Sequence, residues 1–121
     1  MTWEFQGDRP IYTQIAEQIK LRIVSGLYPP GSKLPSVRDL AAEASVNPNT
    51  MQRALSDLER EGILYAERTS GRFVSEDADM IRATRDGLAS QVVDDFLARM
   101  ASLGYDCEAA CALMKRREGE K

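Results

Sequence analysis

The chain has 121 residues, of which 43% are hydrophobic, and a formal net charge of -3. That length allows one compact domain, or a small domain with an appendage. The sequence has no histidine and two cysteines, Cys107 and Cys111, which removes the commonest general base and metal ligand and leaves no disulfide framework.

The start, Met1-Thr2-Trp3-Glu4-Phe5, lacks the basic and apolar runs of an export signal, and no stretch reads as a transmembrane span. A cytoplasmic location is the expectation. Charge is unevenly spread. Residues 9–75 hold nine Lys/Arg against seven Asp/Glu, and residues 76–121 hold seven against ten. The first part tolerates an anionic partner without demanding one.

Ile11, Ile15, Ile19 and Ile23 recur every four residues, with Tyr12, Ala16 and Leu27 beside them, which predicts a first helix over residues 11–25. Asp8 is a candidate cap, Pro10 suits the first turn, and Gly26 closes the helix. Pro29, Pro30, Gly31 and Pro35 form a stiff connector. A second helix over residues 36–44 starts with Ser36 and Asp39, a pattern like a capping box. Its apolar face is Val37, Leu40, Ala41 and Ala44.

The third helix follows a turn at Ser45-Val46. Asn47 is a good N-cap, Pro48 a favoured first residue, and Gly62 a stop. Met51, Ala54, Leu55 and Leu58 form its buried face. At about 100° per residue, Asn49, Gln52, Arg53 and Ser56 gather on the opposite face. All four can donate hydrogen bonds and none is acidic. Such a face suits phosphates and base edges; it also suits a plain polar helix surface. Next, two short apolar runs, residues 63–67 and 72–74, flank Arg68-Thr69-Ser70-Gly71 and predict a hairpin with a basic tip.

Three helices, a tight turn between the second and third, and a hairpin make the layout of a winged helix-turn-helix. The stretches "GSKLPSVRDLA" at Gly31–Ala41, "NTMQRALSDLEREG" at Asn49–Gly62 and "GRFV" at the hairpin resemble the DNA-binding domain of the GntR family of bacterial transcription regulators. The resemblance covers roughly residues 9–75, and the short tail is similar to the YtrA-like branch. It implies that Ser36 and Arg38 at the second helix, with Asn47, Asn49, Thr50, Gln52 and Arg53 on the recognition helix, contact the major groove. It also implies that Ser70, Gly71 and Arg72 form a wing tip for the minor groove. Arg38 is placed to reach a guanine, which bidentate guanidinium geometry suits. Two positions depart from the family pattern: Ser45 and Thr69 stand where glycine is frequent. The branch further implies a repressor of transport-related operons.

In the tail, Leu88, Ala89, Val92, Val93, Phe96, Met100 and Leu103 have helical spacing. Leu103-Gly104-Tyr105-Asp106 is a break, with Asp106 a candidate cap, and Cys107, Ala110, Cys111 and Met114 mark a second short helix. A long apolar stripe there, centred on Leu88, Val92, Val93, Phe96 and Met100, calls for a second copy of the chain. Packing against the chain's own first helix is the alternative. Cys107 and Cys111 at i, i+4 read as part of an apolar face, because a metal site would need further ligands.

The expectation is a mainly α (α+β) protein. Residues 1–77 form a winged helix-turn-helix DNA-binding domain and residues 78–121 a helical dimerisation hairpin. It acts as a homodimeric DNA-binding regulator of transcription on a two-fold symmetric operator, with no metal and no cofactor. An enzyme reading lacks a phosphate loop and a nucleophile-base pair. A protein-binding adaptor would need an apolar centre where Asn49, Gln52 and Arg53 stand. A short tail encloses an effector cavity only if a dimer supplies walls.

Overall fold

The computed structural model describes residues 2–120, in the order α1 (Ile11–Val24), α2 (Val37–Ala44), α3 (Pro48–Glu61), β1 (Leu64–Glu67), β2 (Gly71–Val74), α4 (Ala78–Ser102) and α5 (Cys107–Gly119). The chain divides into two compact units, Met1–Arg85 and Asp86–Lys121, with the division inside α4.

The core of the first unit follows the helical stripes. Ile15, Ile19 and Ile23 of α1 meet Leu40 and Ala44 of α2 and Met51, Leu55 and Leu58 of α3, closed by Ile63, Leu64 and Val74. Each large apolar side chain so buried contributes about 1.5–3 kcal/mol. Ile11 and Leu27, predicted on the stripe, are exposed, because the stripe outruns the core at both ends.

The ends of α2 and α3 are set locally. Ser36 Oγ accepts a hydrogen bond from the Asp39 N–H at 3.1 Å, and Asn47 Oδ1 accepts one from the Asn49 N–H at 2.8 Å. These satisfy first-turn donors that the helix itself leaves orphaned. Gly62 ends α3 at φ 87°, with Met80 packed against the space a β-carbon would take. Ser45, between α2 and α3, holds φ 57° and ψ 46°. Serine thus adopts the left-handed conformation that glycine supplies freely, at a cost of about 1 kcal/mol.

Asp8 does not cap α1. Pro10 occupies the N-cap position and makes no side-chain cap bond. Gln14 secures the approach instead. Its side-chain nitrogen donates to the Gln6 and Arg9 carbonyls at 2.7 and 2.9 Å, and its oxygen accepts from the Gln6 N–H at 2.7 Å. Further along α1, buried Arg22 pairs with Glu43 at 3.2 Å and lies 4.0 Å over the Trp3 ring. This clasp ties the N-terminal segment and α1 to α2.

The hairpin pairs Leu64 with Val74 and Glu67 with Gly71, leaving Arg68-Thr69-Ser70 as its tip. Gly71 has φ 105°, a positive value that glycine adopts without the clash a β-carbon would bring. The proline-rich connector is not merely a spacer. It runs along the other side of β2, with hydrogen bonds from Gly31 N–H to the Val74 carbonyl and from Leu34 N–H to the Arg72 carbonyl, both at 2.9 Å. The wing is therefore tied on both edges of β2.

In the first unit, α4 begins with Asp77 accepting from the Asp79 and Met80 N–H groups, and Ile81 enters the core. In the second unit, Gly104 at φ 89° breaks the helix, and Asp106 caps α5 by accepting from the Ala109 N–H at 2.8 Å. Met100 and Ala110 are buried, while Val92, Val93, Leu103 and Met114 are exposed. Cys107 is exposed and Cys111 half-buried, both free thiols. Among the described residues no helix is long and apolar enough to cross a membrane.

Candidate nucleic-acid interface

The predicted contact residues of α2 and α3 fall at or near the helix N-termini, where orphan N–H groups and the helix dipole favour anions. Arg38 is exposed on the first turn of α2 and has no ion-pair or hydrogen-bond partner among the described residues. Asn47 is committed to its cap. Asn49 is exposed with its side chain uncommitted, and Thr50 is half-buried. Gln52 donates to Ser56 Oγ at 3.3 Å, a weak bond between exposed neighbours that a better acceptor could displace.

Arg53 is exposed, with its guanidinium carbon 3.7 Å from the centroid of the Tyr12 ring. Met51, Ala54, Leu55 and Leu58 are all buried, so the polar residues Asn49, Gln52 and Arg53 are turned outward as the 3.6-residue period requires.

The wing differs from its predicted role in one respect. Ser70 and Gly71 lie at the tip, but Arg72 is half-buried and its Nε donates to Glu59 of α3. This pair fastens the wing to the recognition helix. Arg68 remains the exposed cation at the tip, without an ion-pair partner among the described residues. Lys33 is a residue that sequence reasoning passed over. It is exposed, pairs with Phe73 in a β-bridge, and has its Cε 3.3 Å from where a Gly71 β-carbon would stand. Lys33, Ser36, Asp39, Ser70, Gly71 and Arg72 line one groove between α2 and the wing. Lys33 lies in a segment read as a spacer, and only the pairing of that segment with β2 brings it to the tip.

Tyr65 and Phe73 stack across the hairpin with centroids 5.6 Å apart. The Tyr65 hydroxyl is held above the ordinary tyrosine value, first by desolvation and then by the negative charges of Glu76 and Glu67. The arrangement offers hydrogen-bond donors on α2 and α3, the unpaired cations Arg38 and Arg68 on α2 and the wing tip, and Arg53 held on the Tyr12 ring, and among the described residues it assembles no nucleophile-base pair.

The sequence pattern of bacterial regulatory proteins of the gntR family matches residues 11–74, the span from the start of α1 to the end of β2. The HTH-type transcriptional regulator YhcF of Bacillus subtilis is 45% identical over 105 residues, covering 87% of each chain. A GntR family transcriptional regulator from Listeria monocytogenes superposes with a TM-score of 0.83 at 39% identity, covering 93% of this chain and 98% of the other. The DNA-binding domain of AraR in complex with operator ORX1 superposes with a TM-score of 0.56 at 32% identity, covering 62% of this chain and 99% of that domain.

Proposed function

The chain belongs to the GntR family of bacterial regulatory proteins, DNA-binding transcription regulators rather than enzymes, and on that premise we propose that it is a homodimeric repressor that reads a two-fold symmetric operator in the cytoplasm. In this reading α3 lies in the major groove of each half-site. Arg38, Asn49, Thr50, Gln52 and Arg53 reach phosphates and base edges. The wing tip, with Arg68, Ser70 and Gly71, follows the adjacent minor groove, where a residue without a β-carbon allows close approach.

The observation that carries the reading is the outward face of α3. Its first two turns present Asn49, Gln52 and Arg53 to solvent, while the opposite face is wholly buried. A solvated helix of ordinary composition mixes acids into such a face. Here Asp57, Glu59 and Glu61 come only after it. Two copies are needed because the second unit exposes Val92 and Val93 beside the half-buried Leu88 and Phe96. Repression then follows from a dimer that occupies its operator and excludes other proteins from it.

Duplexes selected from a random pool by the purified protein should converge on inverted half-sites, and their affinity should fall steeply with salt. Selection that enriches no sequence would overturn operator reading. Selection of single, unpaired half-sites would overturn the dimeric part alone.

A further inference from the structure

Arg53 and Arg72 are both offered by the recognition helix and the wing, yet they are held by opposite chemistry. Arg72 is bound to a carboxylate, Glu59. Arg53 has no carboxylate partner among the described residues. The acid one turn further along α3, Asp57, is taken by Arg60 at 3.1 Å, and the acid of α1 beyond the first turn, Glu17, is taken by Arg9 at 3.0 Å. What faces Arg53 is an aromatic ring, that of Tyr12 in the first turn of α1, 3.7 Å from the guanidinium carbon. Tyr12 is half-buried and packed against the core, so the ring is a fixed surface rather than a mobile one.

A guanidinium lying on a ring face is stabilised through the plane, which leaves its in-plane N–H donors free. A carboxylate would consume those donors. The ring also restricts the long arginine side chain before DNA arrives, removing part of the ordering cost that binding otherwise carries. We propose that Tyr12 is a positioning residue for DNA reading: it holds Arg53 flat on its ring so that the guanidinium edge meets one base pair of each half-site bidentately. The proposal rests on α3 being the reading helix.

Lysine at position 53 would keep the charge and lose both the planar stacking and the fork. Phenylalanine at position 12 would keep the ring face and lose only the hydroxyl. Leucine or methionine at position 12 would keep apolar bulk and lose the face.

The test is a set of titrations on the selected operator and on duplexes varied one base pair at a time, with Tyr12→Leu, Tyr12→Met, Tyr12→Phe, Arg53→Ala and the Tyr12→Leu/Arg53→Ala double variant, each also melted thermally. Tyr12→Leu should lower operator affinity about three- to ten-fold, the scale of a partly desolvated cation–π contact. It should relax preference at the same base pair that Arg53→Ala relaxes, and leave binding to random duplex unchanged. Tyr12→Phe should bind like the parent, and the double variant should bind no worse than Arg53→Ala. Tyr12→Met should repeat the Tyr12→Leu result, which guards against a packing fault peculiar to leucine. If Tyr12→Leu and Arg53→Ala add fully, or if the Tyr12 variants lose all sequences evenly along with thermal stability, the platform is wrong while α3 reading stands. If Arg53→Ala changes neither affinity nor base preference, both the platform and the assignment of Arg53 to DNA are wrong.

Discussion

Residues 2–85 and residues 86–120 treat their apolar side chains in opposite ways. In the first unit Ile15, Ile19, Leu40, Met51 and Leu58 are each 0% exposed. In the second, Leu103 is 71%, Val92 68%, Val93 51% and Met114 50% exposed. Apolar residues gather on one face far more sharply in α2 and α3 than in α4 and α5. The two units differ also in whether three elements converge on one helix. In the first unit α1, α2 and the wing all close on α3. In the second, two helices carry more apolar surface than they cover. The first unit closes its own core, whereas the second leaves large apolar side chains exposed, a surface that the proposed function assigns to another copy of the chain.

The strongest way to break this contrast is to charge the open face. Val92→Asp combined with Phe96→Asp should convert a dimer into a monomer in sedimentation at micromolar concentration. Operator affinity should fall at least about 100-fold, because each half-site loses the linked second contact. The melting of the first unit should be unaffected, since neither residue belongs to its core. A parent protein that sediments as a monomer throughout that range would remove the explanation for the exposed valines.

A second contrast lies within the first unit, between an arginine left open and one fastened down. Arg38→Ala should cost about 1–3 kcal/mol on the selected operator and relax preference for one guanine per half-site, as expected when a bidentate base contact is lost. Arg72→Ala should weaken specific and random DNA more evenly and lower the melting temperature slightly, because it unfastens the wing from Glu59. Equal losses on specific and random DNA for both variants would show that Arg38 anchors the backbone and does not read a base.

The elements of this fold were legible wherever the signal is local. Ser36, Asn47 and Asp106 cap helices in the structure as their spacing implies, and Gly62 ends α3. Each involves partners two or three residues apart, or a single φ. The hairpin was legible for the same reason. Asp8 was misjudged because proline at position 10 takes the cap position and Gln14, eight residues from Gln6, secures the approach through its side chain.

What periodicity could not reach were the pairings set by tertiary packing. Tyr12 and Arg53 lie on different helices, and Arg72 meets Glu59 thirteen residues away across the end of α3. Lys33 reaches the wing only because the connector pairs with β2. Side-chain type and spacing place a residue on a face. They do not say which neighbour will hold it there, and that neighbour decides whether an arginine is free for DNA.

The smallest contrast, and the sharpest test of the reading face, lies within one turn of α3. Asn47 and Asn49 are two residues apart and chemically identical, but they do different work. The side chain of Asn47 accepts from the backbone of Asn49, while the side chain of Asn49 points into solvent. Asn47→Ala should therefore lower stability by about 1 kcal/mol, the usual cost of losing such a cap. For a unit of this size that is a fall of roughly 4–8 °C in melting temperature. Asn49→Ala should leave the melting temperature nearly unchanged, since its backbone N–H keeps the cap. It should still weaken operator binding by roughly 1 kcal/mol, the net worth of one hydrogen bond to a base edge or phosphate. Thermal melts and DNA titrations on the two variants separate the roles. An Asn49→Ala protein that melts early yet binds normally would place the polar start of α3 in the service of the fold, and would move the reading face further along the helix, toward Gln52 and Arg53.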